Sequence, residues 1–339
     1  MSDANPVTGT RCGDGRKSGK LQYMLVQNRS VENTDHNRRQ FLSALVCGAA
    51  GFTVTYNASG QTAPPITATK LSDSLVVLSG DGGSVALVIG DGGLMMVDGG
   101  FPERAGEMQK SVALVDAHKV DLVFNTHWHF DHTGSNETLG RAGSKIMAHE
   151  NVKKRLSVKM TVEALNRTFE PLKPEGQPTQ EFPKGGKMTF GKEKIEYMHI
   201  PTAHTDGDSY VFFPGPNVLH TGDMWFAGVF PVIDYSSNGW IGGMAHAAET
   251  MLKVGDAKTR IIPGHGPIGS KEDLKASHEM LATMTQRLEK LHKEGKTVEE
   301  VVAAAPNKDY ADKWGHGTLK PDVWTKVAYT SIVRRSAKT

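Results

Sequence analysis

The sequence predicts an α/β fold in which two β-sheets pack face to face with helices on their outer sides. Three observations carry this expectation. Short apolar runs bounded by Gly-rich turns mark strands, longer amphipathic stretches mark helices, and the segments fall into two successive blocks, each of strands followed by helices.

In the first block, residues 75–78, 84–89 and 94–97 are apolar runs separated by Asp81-Gly82-Gly83 and Asp91-Gly92-Gly93, which read as hairpin turns. Residues 102–118 read as a helix with Pro102 at its start. Strands at 120–124 and 144–147, a helix over 151–167 and a Pro-, Gly- and charge-rich loop over 170–187 complete the block. The second block has strands at 194–200, 209–213 and 218–220, a helix over 244–254, and a strand at 260–262 that runs into Pro263-Gly264-His265-Gly266. Helices at 271–293, 297–304 and 322–335 follow. The eye finds no internal repeat.

Composition narrows the function classes. Of 339 residues, 38% are hydrophobic, enough for a core and too few for a membrane protein. No apolar stretch is long enough to span a bilayer, so no stable membrane anchor is expected. The net charge of +2 arises in residues 1–63, which hold seven Lys/Arg and four Asp/Glu, so the remainder has 32 basic and 33 acidic residues. That balance argues against a nucleic-acid partner. Both cysteines, Cys12 and Cys47, lie in the same leading segment, so neither a disulfide nor a thiolate ligand is expected beyond it.

Residues 1–36 are polar, Gly-rich and aperiodic, as disordered segments are. Asn37-Arg38-Arg39-Gln40-Phe41-Leu42 then leads into a modest apolar run ending at Val54, which resembles a twin-arginine export signal. Residues 1–63 are therefore expected to be a leader, 64–339 the folded domain, and the location periplasmic or secreted. A start at Met24 would give the signal a more ordinary length.

The chemistry concentrates at Thr126-His127-Trp128-His129-Phe130-Asp131-His132, directly after the strand at 120–124. Loops at strand ends carry sites because the sheet positions them. In an extended segment residues 127, 129 and 131 point one way, and His132 turns in as a helix begins. Four ligand-type side chains in six positions have no packing purpose. As donors they suit zinc, which takes imidazole nitrogen and carboxylate oxygen.

This His-x-His-x-Asp-His run resembles the signature of the metallo-β-lactamase superfamily, and further motifs of that family follow the same order. They are Asp98 in Met95-Met96-Val97-Asp98-Gly99-Gly100, His204 in Pro201-Thr202-Ala203-His204-Thr205-Asp206-Gly207-Asp208-Ser209, Asp223 in His220-Thr221-Gly222-Asp223, and His265 in Pro263-Gly264-His265-Gly266. The resemblance covers residues 71–274 and implies a four-layer αββα sandwich of two mixed sheets. It implies two zinc ions, with iron or manganese also compatible with nitrogen and oxygen donors. His127, His129 and His204 would hold the first metal, Asp131, His132 and His265 the second, with Asp223 between them. Asp131 and Asp223 would be the catalytic carboxylates, Asp131 orienting a shared hydroxide or shuttling its proton. Asp98 would fix a ligand histidine through its other ring nitrogen.

The expected activity is hydrolysis of a lactam, lactone or thioester in a small-molecule substrate. No cysteine stands at a metal position, and an aspartate at 223 resembles the glyoxalase II and lactonase style. No Lys or Arg matches a family carboxylate-binding position. Trp225, Phe226, Phe230, Tyr235 and Trp240 are candidates for an apolar pocket wall, or equally for core. Trp128 and Phe130 are expected to pack beneath the metals, and His220, His246 and His316 to be structural. Two other readings stand beside hydrolysis: a single-iron persulfide dioxygenase-like enzyme, and a non-catalytic metal-binding accessory protein of a periplasmic pathway.

Overall fold

A computed structural model describes residues 64–80 and 82–338. The leader and twin-arginine segment expected over 1–63 lie outside the described residues. Leu75, Val77, Val76 and Leu78 show how the layers arise, because the first two face one way and the last two the other, as the period of a strand dictates.

The first sheet begins as an antiparallel meander of β1 (Thr67–Lys70), β2 (Leu75–Ser79), β3 (Val85–Ile89) and β4 (Leu94–Val97). It continues in parallel through β5 (Val120–Asn125) and β6 (Lys145–His149). A small antiparallel pair, β7 (Met160–Val162) and β8 (Arg167–Phe169), stands apart, and β9 (Gln180–Phe182) returns to pair in parallel with β6. The second sheet holds β10 (Gly185–Phe190), β11 (Glu193–His199), β12 (Ser209–Phe213), β13 (Val218–His220) and β14 (Arg260–Ile262), antiparallel except for the last pair.

Between the sheets, Val77, Val88, Met95 and Phe124 of the first meet Ile195, Val211, Phe213 and Ile262 of the second. On the outer face of the first sheet, Leu87, Met96 and Ile146 pack on Met108 and Val112 of the helix Ala105–Val115 and Leu139 of Asn136–Arg141. On the outer face of the second, Phe212, Leu219 and Ile261 pack on the helices Ile241–Met251, Lys271–Lys293 and Pro321–Ser336. The result is helix, sheet, sheet, helix, with both sheets mixed. Each fully buried aliphatic side chain contributes about 1.5–3 kcal/mol.

The helix expected over 151–167 is shorter than that pattern implied. It runs Glu150–Leu156 and gives way to the β7–β8 hairpin, turned by Asn166 at φ 50° and tied by Thr161 and Thr168 hydroxyls 2.9 Å apart. β-branched Thr161 and Val162 favour that extended path. The expected loop over 170–187 contains β9 and the start of β10, because pairing with distant partners makes strands of segments with weak local signal. The helix Lys271–Lys293 starts with a capping box of Ser270 and Asp273. Its first residue, Lys271, reaches back to donate to the carbonyls of Met251 and Leu252 at 3.0 and 2.8 Å, where the helix Ile241–Met251 ends. Among the described residues, no helix is long and apolar enough to cross a membrane.

Candidate metal centre

Parallel strands end side by side, so residues that follow them gather at one edge. Asp98 follows β4 and His127 and His129 follow β5, whose parallel pairing sets them next to one another. Asp131 and His132 lie in the helix Phe130–Thr133 that closes this loop. The second sheet supplies the rest: His204 between β11 and β12, Asp223 in the turn Gly222–Met224 after β13, and His265 after β14. Two glycines permit the approach. A Cβ at Gly83 would stand 2.4 Å from the His132 ring, and one at Gly264 would stand 2.0 Å from Asp223 Oδ1.

The structure brings all seven predicted ligands together in two groups. His127, His129, His204 and Asp223 form one, and Asp131, His132 and His265 the other, with donor atoms within 4.8 Å of each other in each group. Asp223 faces both. Its Oδ2 lies 3.4 Å from His204 Nε2 and 3.8 Å from His127 Nε2. Its Oδ1 lies 3.0 Å from His132 Nε2 and 3.3 Å from His265 Nε2. Between the groups' histidines, His129 Nδ1 and His204 Nε2 are 2.8 Å apart, and His132 Nε2 and His265 Nε2 are 3.5 Å apart.

The outer ring nitrogens are tied down, which assigns the tautomers. His132 Nδ1 donates to Asp98 Oδ2 at 2.8 Å, and His204 Nδ1 to the Val232 carbonyl at 2.8 Å. His127 Nδ1 donates to Thr126 Oγ1 at 3.0 Å, and that hydroxyl donates to Asp98 Oδ2 at 2.8 Å. Asp98, at φ 66°, also takes the Thr126 backbone N–H at 2.8 Å, so one carboxylate orients a ring in each group. His129 Nε2 donates to Asp234 Oδ2 at 3.1 Å. Asp234 further accepts from the Ser237 hydroxyl and two backbone amides, and Trp128 Nε1 donates to Ser237 Oγ at 3.2 Å.

The inner nitrogens of His127, His129 and His204 are therefore bare acceptors, and those of His127 and His204 face the Asp223 carboxylate. His127 Nε2 and Asp223 Oδ1 are buried with no hydrogen-bond partner. Acceptors crowded on acceptors repel one another, and a buried unpaired polar atom is costly. A cation between them removes both penalties, so the donor set fits a metal, and the seven residues could hold two. In the metal-free protein, protons fill part of this role. Burial opposes charge on His265, but Asp223 and Asp131 outweigh it and raise its pKa to about 9. Burial also opposes charge on Asp131, but His132 and His265 bring its pKa down to about 2. Burial, with His129 adding, holds His204 at about 4.

The aromatic candidates separate. Phe226 stacks on His265 with ring centroids 4.9 Å apart, beside the second group. Trp225 and Phe230 instead turn toward the outer helices, where Trp225 donates to Ser277 at 2.8 Å and Phe230 stacks on Trp324 at 4.1 Å. Tyr235 and Trp240 lie under Arg334 and Arg335 of the last helix. Trp128 packs edge-on against His129, and Phe130 stacks on Phe169. His220 is buried between the Ser84 carbonyl and the Gly222 amide, while His246 and His316 are exposed. Asp234 is the site residue that sequence reasoning missed. A lone carboxylate within Pro-Val-Ile-Asp-Tyr was its available signal.

A family model described as the Metallo-beta-lactamase superfamily matches residues 78–277. Hydroxyacylglutathione hydrolases of Brucella ovis and Brucella canis are each 31% identical over 110 residues, 32% of this chain and 35% and 34% of theirs. The chain thus spans about a third of the length of these relatives. Among solved structures, a metallo-beta-lactamase from Pontibacter korlensis superposes with a TM-score of 0.53 at 18% identity, over 64% of this chain and 99% of that one. A stereoselective inverting sec-alkylsulfatase from Pseudomonas sp. gives 0.61 at 14% identity, over 78% and 50%. At these identities the structures share the fold.

Proposed function

The chain belongs to the metallo-beta-lactamase superfamily, and from that premise we propose that it is a hydrolase that uses two zinc ions to break the acyl bond of a lactam, lactone or thioester in a small-molecule substrate. His127, His129 and His204 would hold one ion, Asp131, His132 and His265 the other, with Asp223 bridging. The observation that carries this reading is the division of Asp223, one oxygen toward each group. The likeness to hydroxyacylglutathione hydrolases supports the thioester among the three bonds.

When bound, such a pair of ions polarises a carbonyl and makes water a strong nucleophile at neutral pH. The chain supplies orientation and proton traffic. Asp131 and His265 are the ligands whose side chains keep some exposure, 12% and 14%, so substrate and water enter on their side. Asp131 Oδ2, ionised and 3.2 Å from His265 Nε2, is placed to accept the proton of the attacking water and return it to the leaving group. Asp98, Asp234 and the Val232 carbonyl keep the rings from rotating and hold a proton on each outer nitrogen, which leaves the inner nitrogens as the ones directed into the site.

A chromogenic panel of a lactam, a lactone and a thioester, with metal analysis of the same preparation, tests the reading. Turnover of at least one substrate by protein holding two zinc ions per chain is expected. One tightly held iron with oxygen uptake on a persulfide would replace it with the dioxygenase. The same reading places the enzyme in the periplasm or outside the cell by way of Arg38-Arg39. Retention of the Lys-Lys variant in the cytoplasm would support export by that route, and unchanged delivery would refute it.

A further inference from the structure

His220 is the last residue of β13, and its side chain is fully buried. Both ring nitrogens are taken. Nδ1 accepts the Gly222 backbone N–H at 3.2 Å, and Nε2 donates to the Ser84 carbonyl at 3.1 Å. The first bond closes the left-handed turn at Gly222, φ 51°, that leads directly into Asp223. A Cβ at Gly222 would stand 2.5 Å from Thr126 Oγ1, so this turn rests on the loop that follows β5. The second bond crosses between the sheets, because Ser84 immediately precedes β3. Core packing alone gives no reason for an imidazole here. Burying one costs free energy unless its nitrogens are paired, and these are the two pairs it makes.

Ser84 and its neighbour Gly83 reach the rest of the second ligand group. Ser84 N–H donates at 2.8 Å to the carbonyl of Gly264, the residue before His265. Gly83 N–H donates to the carbonyl of Asp131 at 3.2 Å, and Gly83 lies against the His132 ring. Asp131, His132, the strand end before His265 and the turn before Asp223 thus meet at two residues between β2 and β3. The Ser84–Gly264 and Gly83–Asp131 bonds are backbone to backbone, so His220 is the side chain through which the junction can be altered. The first group is oriented elsewhere: His127 by Thr126, His129 by Asp234 and His204 by the Val232 carbonyl.

We propose that His220 is a positioning residue for the second metal group. By tying the turn that carries Asp223 to Ser84, it holds Asp131, His132, His265 and Oδ1 of Asp223 together and leaves the first group alone. Oδ1 is the Asp223 oxygen that faces His132 and His265, at 3.0 and 3.3 Å. This rests on the two-metal reading of the site, and it gives a residue that is no ligand a selective effect on one of the two ions.

The test is zinc affinity, measured on the full chain by competition with a chromophoric chelator in two backgrounds. His204→Ala keeps the second group whole, and His265→Ala keeps the first. In the His204→Ala background, His220→Phe, which keeps a ring and loses both bonds, should weaken zinc binding by roughly 10–100-fold, the usual cost of losing a partner behind a ligand. His220→Asn, which retains an acceptor for the Gly222 amide, and His220→Gln, which retains a donor for the Ser84 carbonyl, should each lose less. These two give the same comparison if the Phe variant does not fold. In the His265→Ala background none of the three should change the affinity. Thermal midpoints of the metal-free proteins are recorded alongside. Equal losses in both backgrounds that track the midpoint would overturn the proposal by making His220 merely structural. So would an unchanged affinity of His220→Phe in the His204→Ala background, or no zinc uptake by His204→Ala itself. A wild type that takes up one ion would instead count against the two-metal reading, and the two backgrounds would still show which group His220 serves.

Discussion

Asp234 holds His129 from 105 residues away: its Oδ2 stands 3.1 Å from Nε2 and leaves Nδ1 as the only nitrogen of that ring directed into the site. The other histidines whose partners fix a tautomer here, His127, His132 and His204, present Nε2. Asp234 therefore determines which nitrogen is offered. Asp234→Ala is predicted to weaken metal affinity or turnover by roughly 10–100-fold, the usual cost of losing a partner behind a ligand. Asp234→Asn, which keeps an acceptor oxygen, should lose less. Asp98→Ala should behave likewise through His132 and Thr126, keep both metals, and respond to added zinc. Metal titration beside kinetics on these variants checks the ordering, and an unaffected Asp234→Ala would show the contact to be incidental.

A second prediction concerns pH. In the metal-free protein His265 is raised from 6.5 to about 9, with burial opposing the shift and Asp223 and Asp131 producing it. A raised histidine lends stability that is complete below its unfolded pKa of about 6.5 and is lost as pH rises through about 9. A cation must displace that proton and the one on His132, whose pKa is raised, against the opposing effect of burial, by Asp223, Asp131 and Asp98, so zinc affinity of the Asp131, His132 and His265 group should rise with pH over this window. His204, at about 4, is already neutral there and releases nothing. Calorimetric zinc titration in buffers of different ionisation enthalpy should find more proton release at about pH 7 than at about pH 10. Equal release at both would contradict it.

The ligands were legible because they cluster in short motifs, each after a strand whose apolar run is itself visible. Val120–Asn125 and Val218–His220 announce the loops that carry His127 and Asp223. The two-layer sheet core was legible for the same reason. What local pattern could not show are pairings set by distant segments. The hairpin Met160–Phe169 reads as a continuation of the preceding helix, and β9 reads as loop until β6 is beside it. Asp234 looked like part of an aromatic stretch because nothing near it in sequence marks His129 as its partner. Trp225 and Phe230 follow a bridging carboxylate yet turn away from it, since their rings fill the space under the outer helices. The leading segment, residues 1–63, lies outside the described residues.

A third prediction separates stability from chemistry. Lys271 is buried, 8% exposed, and its ammonium caps the carbonyls at the end of the helix Ile241–Met251. A cation there also meets the negative end of the helix dipole. Lys271→Met keeps the aliphatic stem and leaves those carbonyls without a donor. It should cost about 1–3 kcal/mol of unfolding free energy, read from the denaturant midpoint, with metal content and turnover unchanged. An unaltered midpoint would show that water replaces the cap.

The central claim is that Asp223 joins two metals in one site, and counting metals tests it most directly. Elemental analysis of the full chain and of Asp223→Ala, prepared side by side without chelator, measures the stoichiometry. The wild type should carry two ions per chain, mostly zinc, and Asp223→Ala should lose at least one of them along with nearly all hydrolysis. One tightly bound iron in the wild type, or an Asp223→Ala protein that keeps two ions and normal turnover, would contradict the account.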